Sequence, residues 1–278
     1  MTKDDTPQQS PNQQSLNEME KLINTFDFRS MNEAWKKAKP FNHIVLDDFL
    51  TQETAASIVK EFPSFDDSVW YVYENAIEVK KAMNNWDRFG PKIYNLLWFL
   101  NSPSFIKDLE HLTACKLYPD FGLNGGGLHS HRSGGKLNTH LDYSIHPKLK
   151  LERRLNLIIY ITPDWQADWG GDLGLWEHDE KENKPSKLLS KIAPMFNRAV
   201  LFDTTQNSWH GLPDLIQCPP NITRNSLAIY YLCDPRPAAV DRNRALFAPH
   251  KEQENDPEVL ELIRKRSDFT KSQSIYRT

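Results

Sequence analysis

The chain has 278 residues, a formal net charge of −3 and an apolar fraction of 39%. This length is enough for the core of one domain, because β-rich units reach about 250 residues without dividing. The small acidic excess excludes an extended surface for nucleic acid or acidic lipid, since such a surface needs many unpaired basic residues. We therefore expect a small molecule, a peptide or a glycan as the partner, and neither nucleic acid nor a membrane.

The cysteines and the apolar runs suggest a compartment. Cys115, Cys218 and Cys233 are widely spaced and form no CxxC pattern, which favours reduced thiols and a cytoplasmic protein. The first residues, MTKDDTPQQSPNQQ, contain no apolar segment of the kind that directs secretion. The longest apolar run, LNLIIYI at 155–161, has the length of a strand and is too short to cross a bilayer.

The first part of the chain is predicted to be mainly helical. Residues 1–14 have the composition of a disordered tail, and a single domain is expected over 15–278. The SLNE capping box at Ser15 predicts a short helix with Met19, Leu22 and Ile23 on one face. A strand is expected over 41–50. Three further helices are expected over 51–62, 90–101 and 102–112, with Thr51 and Ser102 as N-caps of the first and the third. The segment 15–122 is interpreted as helical support with one or two strands.

From residue 123 to 237 the pattern changes to short β-rich runs separated by turn residues. Six or more short strands predict a sandwich or barrel of the jelly-roll type, so the fold class is α+β and mainly β. The glycines Gly170 and Gly171 mark a tight turn in this region. Residues 238–278 are interpreted as a C-terminal extension, with Asp256 and Pro257 opening a helix on the outside.

Two residues in KLNTHLDYSIH suggest a metal site. If LNTHLDY is a strand, His140 and Asp142 lie on one face, as two ligands of one metal require. The best third ligand is His210, which follows the apolar strand AVLFDT. Two imidazoles and one carboxylate leave three positions open on non-haem Fe(II). An HxD pair alone is also typical of a structural hydrogen bond between the two side chains.

Arg224 strengthens the metal interpretation. It opens the apolar strand RNSLAIYYL, and its guanidinium can hold a carboxylate through two parallel hydrogen bonds. An alternative role is a surface charge beside a strand, but the position at the head of a buried strand favours the carboxylate partner.

Aromatic and polar residues indicate where a substrate could bind. Trp165, Trp169, Trp176 and Trp209 either fill the barrel or include a stacking platform for a sugar or a proline ring. The stretch WYVYENAIEVKKAMNN at 70–85 is a candidate entrance. Asn75 and Lys80 are its candidate contacts.

The segment 123–237 resembles the Fe(II)/2-oxoglutarate-dependent dioxygenases of the prolyl-4-hydroxylase-like superfamily. The resemblance lies in THLD, RRLNLIIYITPDWQADWGGDLGLW, IAPMFNRAVLFDT, WHGLPD and TRNSLAIYYL, in the family's order. It implies a double-stranded β-helix in which His140, Asp142 and His210 are the iron ligands. It also implies that Arg224 binds the C5 carboxylate of 2-oxoglutarate, with Tyr160 as a second donor; Tyr160 could equally be a core residue.

Two histidines stand where many relatives have a tyrosine that faces the cosubstrate. These are His129 and His131, and either could serve there. His131 is the one we assign to the cosubstrate site.

The resemblance also implies a reaction. Its cofactors are Fe(II), 2-oxoglutarate as cosubstrate and O2, with ascorbate as a further candidate, and its outcome is hydroxylation of an unactivated C–H bond. Asp142 favours hydroxylation, because halogenating relatives lack this carboxylate. The substrate is a prolyl or other protein side chain, a free amino acid or a sugar. Two alternatives stay open, a zinc hydrolase and a cupin-like binding module without turnover.

Overall fold

The computed structural model describes residues 22–204, 207–237 and 239–268. The tail predicted over 1–14 and most of the helix predicted from Ser15 lie outside this part of the chain. Within it, Leu22 and Ile23 are not helical, and Ile23 instead forms an isolated bridge with Leu50. None of the described helices has both the length and the apolar character that crossing a membrane requires.

Five α-helices are described, and the predicted N-caps are confirmed. The side-chain oxygens of Thr51 and Ser102 accept backbone N–H groups of their own helices, and Asp256 accepts two. Proline occupies the first turn of the last three helices, where its missing N–H costs nothing. The helices are α1 (Asn32–Lys37), α2 (Gln52–Glu61), α3 (Pro91–Leu100), α4 (Pro103–Thr113) and α5 (Pro257–Ser267).

The strands form two antiparallel sheets. The bounds are β1 (His43–Leu46), β2 (Tyr71–Glu74), β3 (Glu78–Met83), β4 (Tyr118–Pro119), β5 (Gly127–His131), β6 (Lys136–Leu137), β7 (His140–Leu141), β8 (Glu152–Tyr160), β9 (Leu173–Asp179), β10 (Lys184–Ile192), β11 (Ala199–Asp203), β12 (Trp209–Gly211), β13 (Arg224–Cys233) and β14 (Leu246–Phe247). The major sheet has nine strands in the order β1-β11-β8-β13-β5-β3-β2, with β4 on β13 and β6 on β3. The minor sheet has the order β10-β9-β12-β7-β14.

The two sheets enclose one core and the helices add a second. Leu155, Leu157 and Ile159 of β8 belong to the large apolar cluster shared with the helices. Tyr160, from the opposite face of β8, packs in a smaller cluster with Leu173 of the minor sheet. This alternation follows from the period of two along a strand, and it confirms the jelly-roll prediction.

Three segments differ from the sequence-based expectations. The predicted strand 41–50 is shorter, His43–Leu46. The supposed helical support also contributes four strands, including the β2–β3 hairpin that extends the major sheet. The C-terminal extension is not confined to the outside, because β14 pairs with β7 and Phe247 packs with Ile77 of the hairpin.

Candidate active site

A triad of two histidines and one carboxylate lies between the sheets. His140 on β7 and His210 on β12 are paired directly in the strand register. Asp142 follows β7 immediately, so the predicted strand LNTHLDY is shorter than expected, yet the side chains still converge. The Nε2 atoms of His140 and His210 lie 3.8 and 3.7 Å from the two carboxylate oxygens of Asp142. The three potential ligand atoms lie within 4.8 Å of one another, and all three residues are buried.

The hydrogen bonds of the two imidazoles direct their free nitrogens towards the same point. The Nδ1 atoms of His140 and His210 lie 2.9 Å from the backbone oxygens of Asn138 and Ser208. Because a carbonyl oxygen can only accept, each Nδ1 carries the proton and each Nε2 keeps a lone pair. This tautomer is the one a metal ligand needs.

The protonation states of His140 and Asp142 favour the binding of a cation. Burial and the neighbouring His210 lower the pKa of His140 to about 3, so this imidazole is neutral at physiological pH. Burial works to raise the pKa of Asp142, but the Arg153 guanidinium and the two imidazoles hold it below its ordinary value. A neutral His140 imidazole and an ionised Asp142 carboxylate are ligands suited to a divalent metal.

Arg224 and His131 on the major sheet line the same cavity as the triad, and Tyr160 lies beside Arg224 without lining the cavity. Arg224 pairs with His131 in the register of β13 and β5, and its guanidinium lies 4.8 Å from the centroid of the Tyr160 ring. Its Nε donates to the backbone oxygen of Gly171 at 2.7 Å. No carboxylate of the described ranges lies within 4.0 Å of this guanidinium. The buried Tyr160 hydroxyl and both His131 ring nitrogens also find no hydrogen-bond partner there.

These polar groups test whether an anionic cosubstrate fits. A buried cation and buried donors without partners are costly, so a carboxylate that bound them would remove the cost. Burial lowers the pKa of Arg224 and raises that of Tyr160, which leaves an arginine and a neutral phenol as donors. The cavity of about 360 Å³ is lined by Arg224, by the triad and by residues of the β2–β3 hairpin, of which Tyr71 is exposed. The residues present therefore fit both a metal and a dicarboxylic acid.

Of the other predicted site residues, some line the cavity and others do not. Lys80 lines the cavity, whereas Asn75 does not, and the Asn75 side-chain oxygen accepts two backbone N–H groups of the hairpin turn. Both His129 and His131 line the cavity. None of the four tryptophans does, and Trp165 and Trp209 are buried, which favours the interpretation that they fill the barrel.

Several cavity residues were not identified from the sequence. Arg153 could have been found by the signal that identified Arg224, because it too stands near the start of an apolar strand. Asn156 and Tyr143 each direct a buried oxygen without a partner in the described structure, and both line the cavity. Phe247 comes from the C-terminal extension, and no sequence pattern connects it to the triad.

Residues 126–232 match the sequence model of the 2OG-Fe(II) oxygenase superfamily. This segment is therefore similar to the 2OG-Fe(II) oxygenases, in agreement with the family resemblance that the motifs indicate.

Individual relatives are more distant. Prolyl 3-hydroxylase OGFOD1 of Mus musculus is 31% identical over 64 residues, which cover 23% of this chain and only 12% of the mouse protein. A prolyl hydroxylase from Trichoplax adhaerens, solved with a peptide of hypoxia inducible factor, has a TM-score of 0.53 at 15% identity, covering 81% of this chain and 94% of that one. A prolyl 4-hydroxylase from Phytophthora capsici has a TM-score of 0.50 at 18% identity, covering 91% and 75%. These structures support the double-stranded β-helix fold.

Proposed function

We propose that this protein is an Fe(II)- and 2-oxoglutarate-dependent dioxygenase that hydroxylates an unactivated C–H bond of a prolyl residue in a protein. The observation on which the proposal rests is that the buried triad of His140, Asp142 and His210 lines one cavity with the buried Arg224.

His140, Asp142 and His210 would hold the iron through two Nε2 atoms and a carboxylate oxygen. When bound, iron with 2-oxoglutarate supplies the oxidative decarboxylation that couples O2 to C–H hydroxylation. The backbone acceptors at Asn138 and Ser208 fix the orientation of the two imidazoles. The chain therefore provides a buried set of three side chains that would hold the metal.

Arg224 and Tyr160 would bind the distal carboxylate of 2-oxoglutarate, with His131 beside them. The hydrogen bond from Arg224 Nε to Gly171 fixes the guanidinium and leaves its terminal N–H groups as donors. Burial of all three residues excludes water, which strengthens a charge-assisted hydrogen bond. Orientation of the cosubstrate would follow from this end of the cavity.

The substrate proposal is supported by the mouse relative, whose name specifies prolyl 3-hydroxylation. The hairpin side of the cavity is suited to a peptide, because the exposed Tyr71 and the neighbouring Tyr73 present aromatic surface beside Lys80. Aromatic faces bind the ring of proline. Neither of these observations favours a sugar over a prolyl peptide.

The two alternatives predict different cavities. A zinc hydrolase needs the three ligands and a water, and it gives no role to a buried arginine and phenol without carboxylate partners. A binding module without turnover would leave the complete ligand set unexplained. The superfamily match favours the oxygenase over both.

The experiment that tests the proposal is anaerobic addition of Fe(II) and 2-oxoglutarate, followed by the weak metal-to-ligand charge-transfer band in the visible range. We expect the band in the wild type, its loss in His210→Ala and its weakening in Arg224→Ala. Arg198→Ala, which removes an ion pair with Asp47 away from the cavity, is the control and should keep the band. No band in the wild type, together with tight zinc binding, would contradict the proposal.

Substrate class needs a second assay under air. Succinate formation and the gain of one oxygen atom by a prolyl peptide are expected, with no gain by the same peptide carrying alanine in place of proline. Equal succinate formation with both peptides would rule out a prolyl substrate.

A further inference from the structure

The two oxygens of the Asp142 carboxylate have different surroundings. Nη1 of Arg153 lies 3.2 Å from Oδ1. Oδ2 lies 3.7 Å from Nε2 of His210 and has no hydrogen-bond partner among the described residues. Oδ1 is thus paired with a cation, although it also lies 3.8 Å from Nε2 of His140, whereas Oδ2 faces His210 and stays available.

Arg153 is itself fixed from several directions. Its guanidinium lies between two aromatic rings, 3.5 Å from the centroid of Tyr143 and 3.4 Å from that of Tyr230. It also donates to the backbone oxygen of Asn124, and the residue is only 2% exposed. A planar cation stacked on both faces has little freedom to rotate, so its N–H groups keep one direction.

A β-bulge directs Arg153 into the cavity. In the pairing of β13 with β8, Tyr231 lies opposite Leu155, but Leu232 lies opposite Arg153, so one extra residue, Arg154, is accommodated. Without the bulge, the alternation of side chains along β8 would place Arg153 on the same face as Leu155, which packs against the helices and not in the cavity. Arg154 instead pairs with Asp203 at 2.9 Å.

We propose that Arg153 is a positioning residue that makes Asp142 a one-oxygen ligand. By holding Oδ1, it leaves only Oδ2 for the metal, and a carboxylate that bound through both oxygens would fill one more coordination position. The facial triad leaves about three positions open, of which a bidentate cosubstrate takes two and O2 the last. This inference rests on the metal centre proposed above.

A purely structural role for Arg153 would be to neutralise the buried charge of Asp142. Metal affinity does not separate the two roles, because removing Arg153 also removes its repulsion of a bound cation. The number of water molecules on the metal does separate them, since it depends on how many oxygens Asp142 contributes.

The test loads the full chain with Mn(II) alone and counts metal-bound water by pulsed EPR in deuterium oxide. About three waters are expected on the wild type and about two on Arg153→Met. Arg154→Met is the matched control, because it removes the neighbouring arginine and its buried ion pair outside the cavity; it should keep the wild-type count.

Arg153→Lys replaces the methionine variant if that variant does not fold. It keeps a positive charge in the core, but its flexible ammonium lacks the planar fork, and the lower count is again expected. An unchanged count in the Arg153 variant that folds would overturn the positioning role and leave the metal centre intact. Absence of Mn(II) binding by the wild type would instead overturn the metal centre.

Discussion

The ring of Phe247 stacks on the imidazole of His140, with 5.0 Å between their centroids and 24° between their planes. The two residues lie opposite each other in the register of β14 and β7. A residue more than a hundred positions downstream therefore forms one wall of the candidate metal site. The C-terminal extension is part of the site as well as of the fold.

Phe247→Ala should weaken metal binding as well as the fold. Loss of a buried phenylalanine costs about 3 to 5 kcal/mol of unfolding free energy, and here it also frees the His140 ring. The expected result is a smaller rise in the melting temperature on adding Mn(II). Phe105→Ala is the control: Phe105 is equally buried but packs among the helices, so the Mn(II)-induced rise should be preserved. An equal reduction in both variants would contradict a specific role for the stack.

Arg224→Met should weaken 2-oxoglutarate binding without loss of metal. A hydrogen-bonded pair with a charged partner contributes roughly 1.5 to 3 kcal/mol, so an increase in Kd of about 10- to 150-fold is expected. Calorimetric titration of 2-oxoglutarate into the Mn(II)-loaded variant measures it. The titration of Mn(II) alone should match the wild type, and an unchanged Kd for 2-oxoglutarate would remove Arg224 from the cosubstrate site.

Gly171→Ala should also impair the cosubstrate site. Gly171 has a φ of +74°, and an added Cβ would lie 2.9 Å from Arg224 Cδ, so the guanidinium must move. Gly134→Ala is matched in backbone, because Gly134 has a φ of +81° with no atom within 4 Å of an added Cβ. Both variants should lose roughly 1 to 2 kcal/mol of stability from the left-handed backbone. Only Gly171→Ala should raise the Kd for 2-oxoglutarate; a normal Kd in that variant would contradict the prediction.

His131 should make the metal-free protein less stable in acid. Burial, together with the positive charges of Arg224 and Lys80, holds the pKa of His131 well below 6.5 in the folded state. The unfolded chain therefore binds more protons below about pH 6.5, and the unfolding free energy falls as the pH drops, by at most about 1.4 kcal/mol per pH unit from this residue.

Urea unfolding of the wild type and His131→Leu at pH 8, 7, 6 and 5 measures this contribution. The variant should show a shallower decline below about pH 6.5. Other titrating groups cancel in the comparison, including Asp203, whose pKa burial raises to about 6 and whose effect has the opposite sign. Parallel curves for the two proteins would show that His131 does not contribute.

Local sequence was sufficient for the helices and for the separate members of the site. The Thr51, Ser102 and Asp256 caps are local hydrogen bonds, so they could be predicted without knowing the fold. His140 and Asp142 are close because they are two residues apart, and this proximity survives even though the strand ends at Leu141. Arg224 was identifiable because a charge at the head of an apolar strand needs an explanation.

Tertiary structure decided which other side chains reach the metal site. Arg153 and Arg154 have the same chemistry and adjacent positions, and a single bulge between β8 and β13 sends one to Asp142 and the other to Asp203. Phe247 reaches His140 only because β14 adds to the minor sheet. Bulges and strand order depend on pairing between distant segments. The residue pattern of one segment does not show which other segment it pairs with or in which register, so neither feature could be predicted from it.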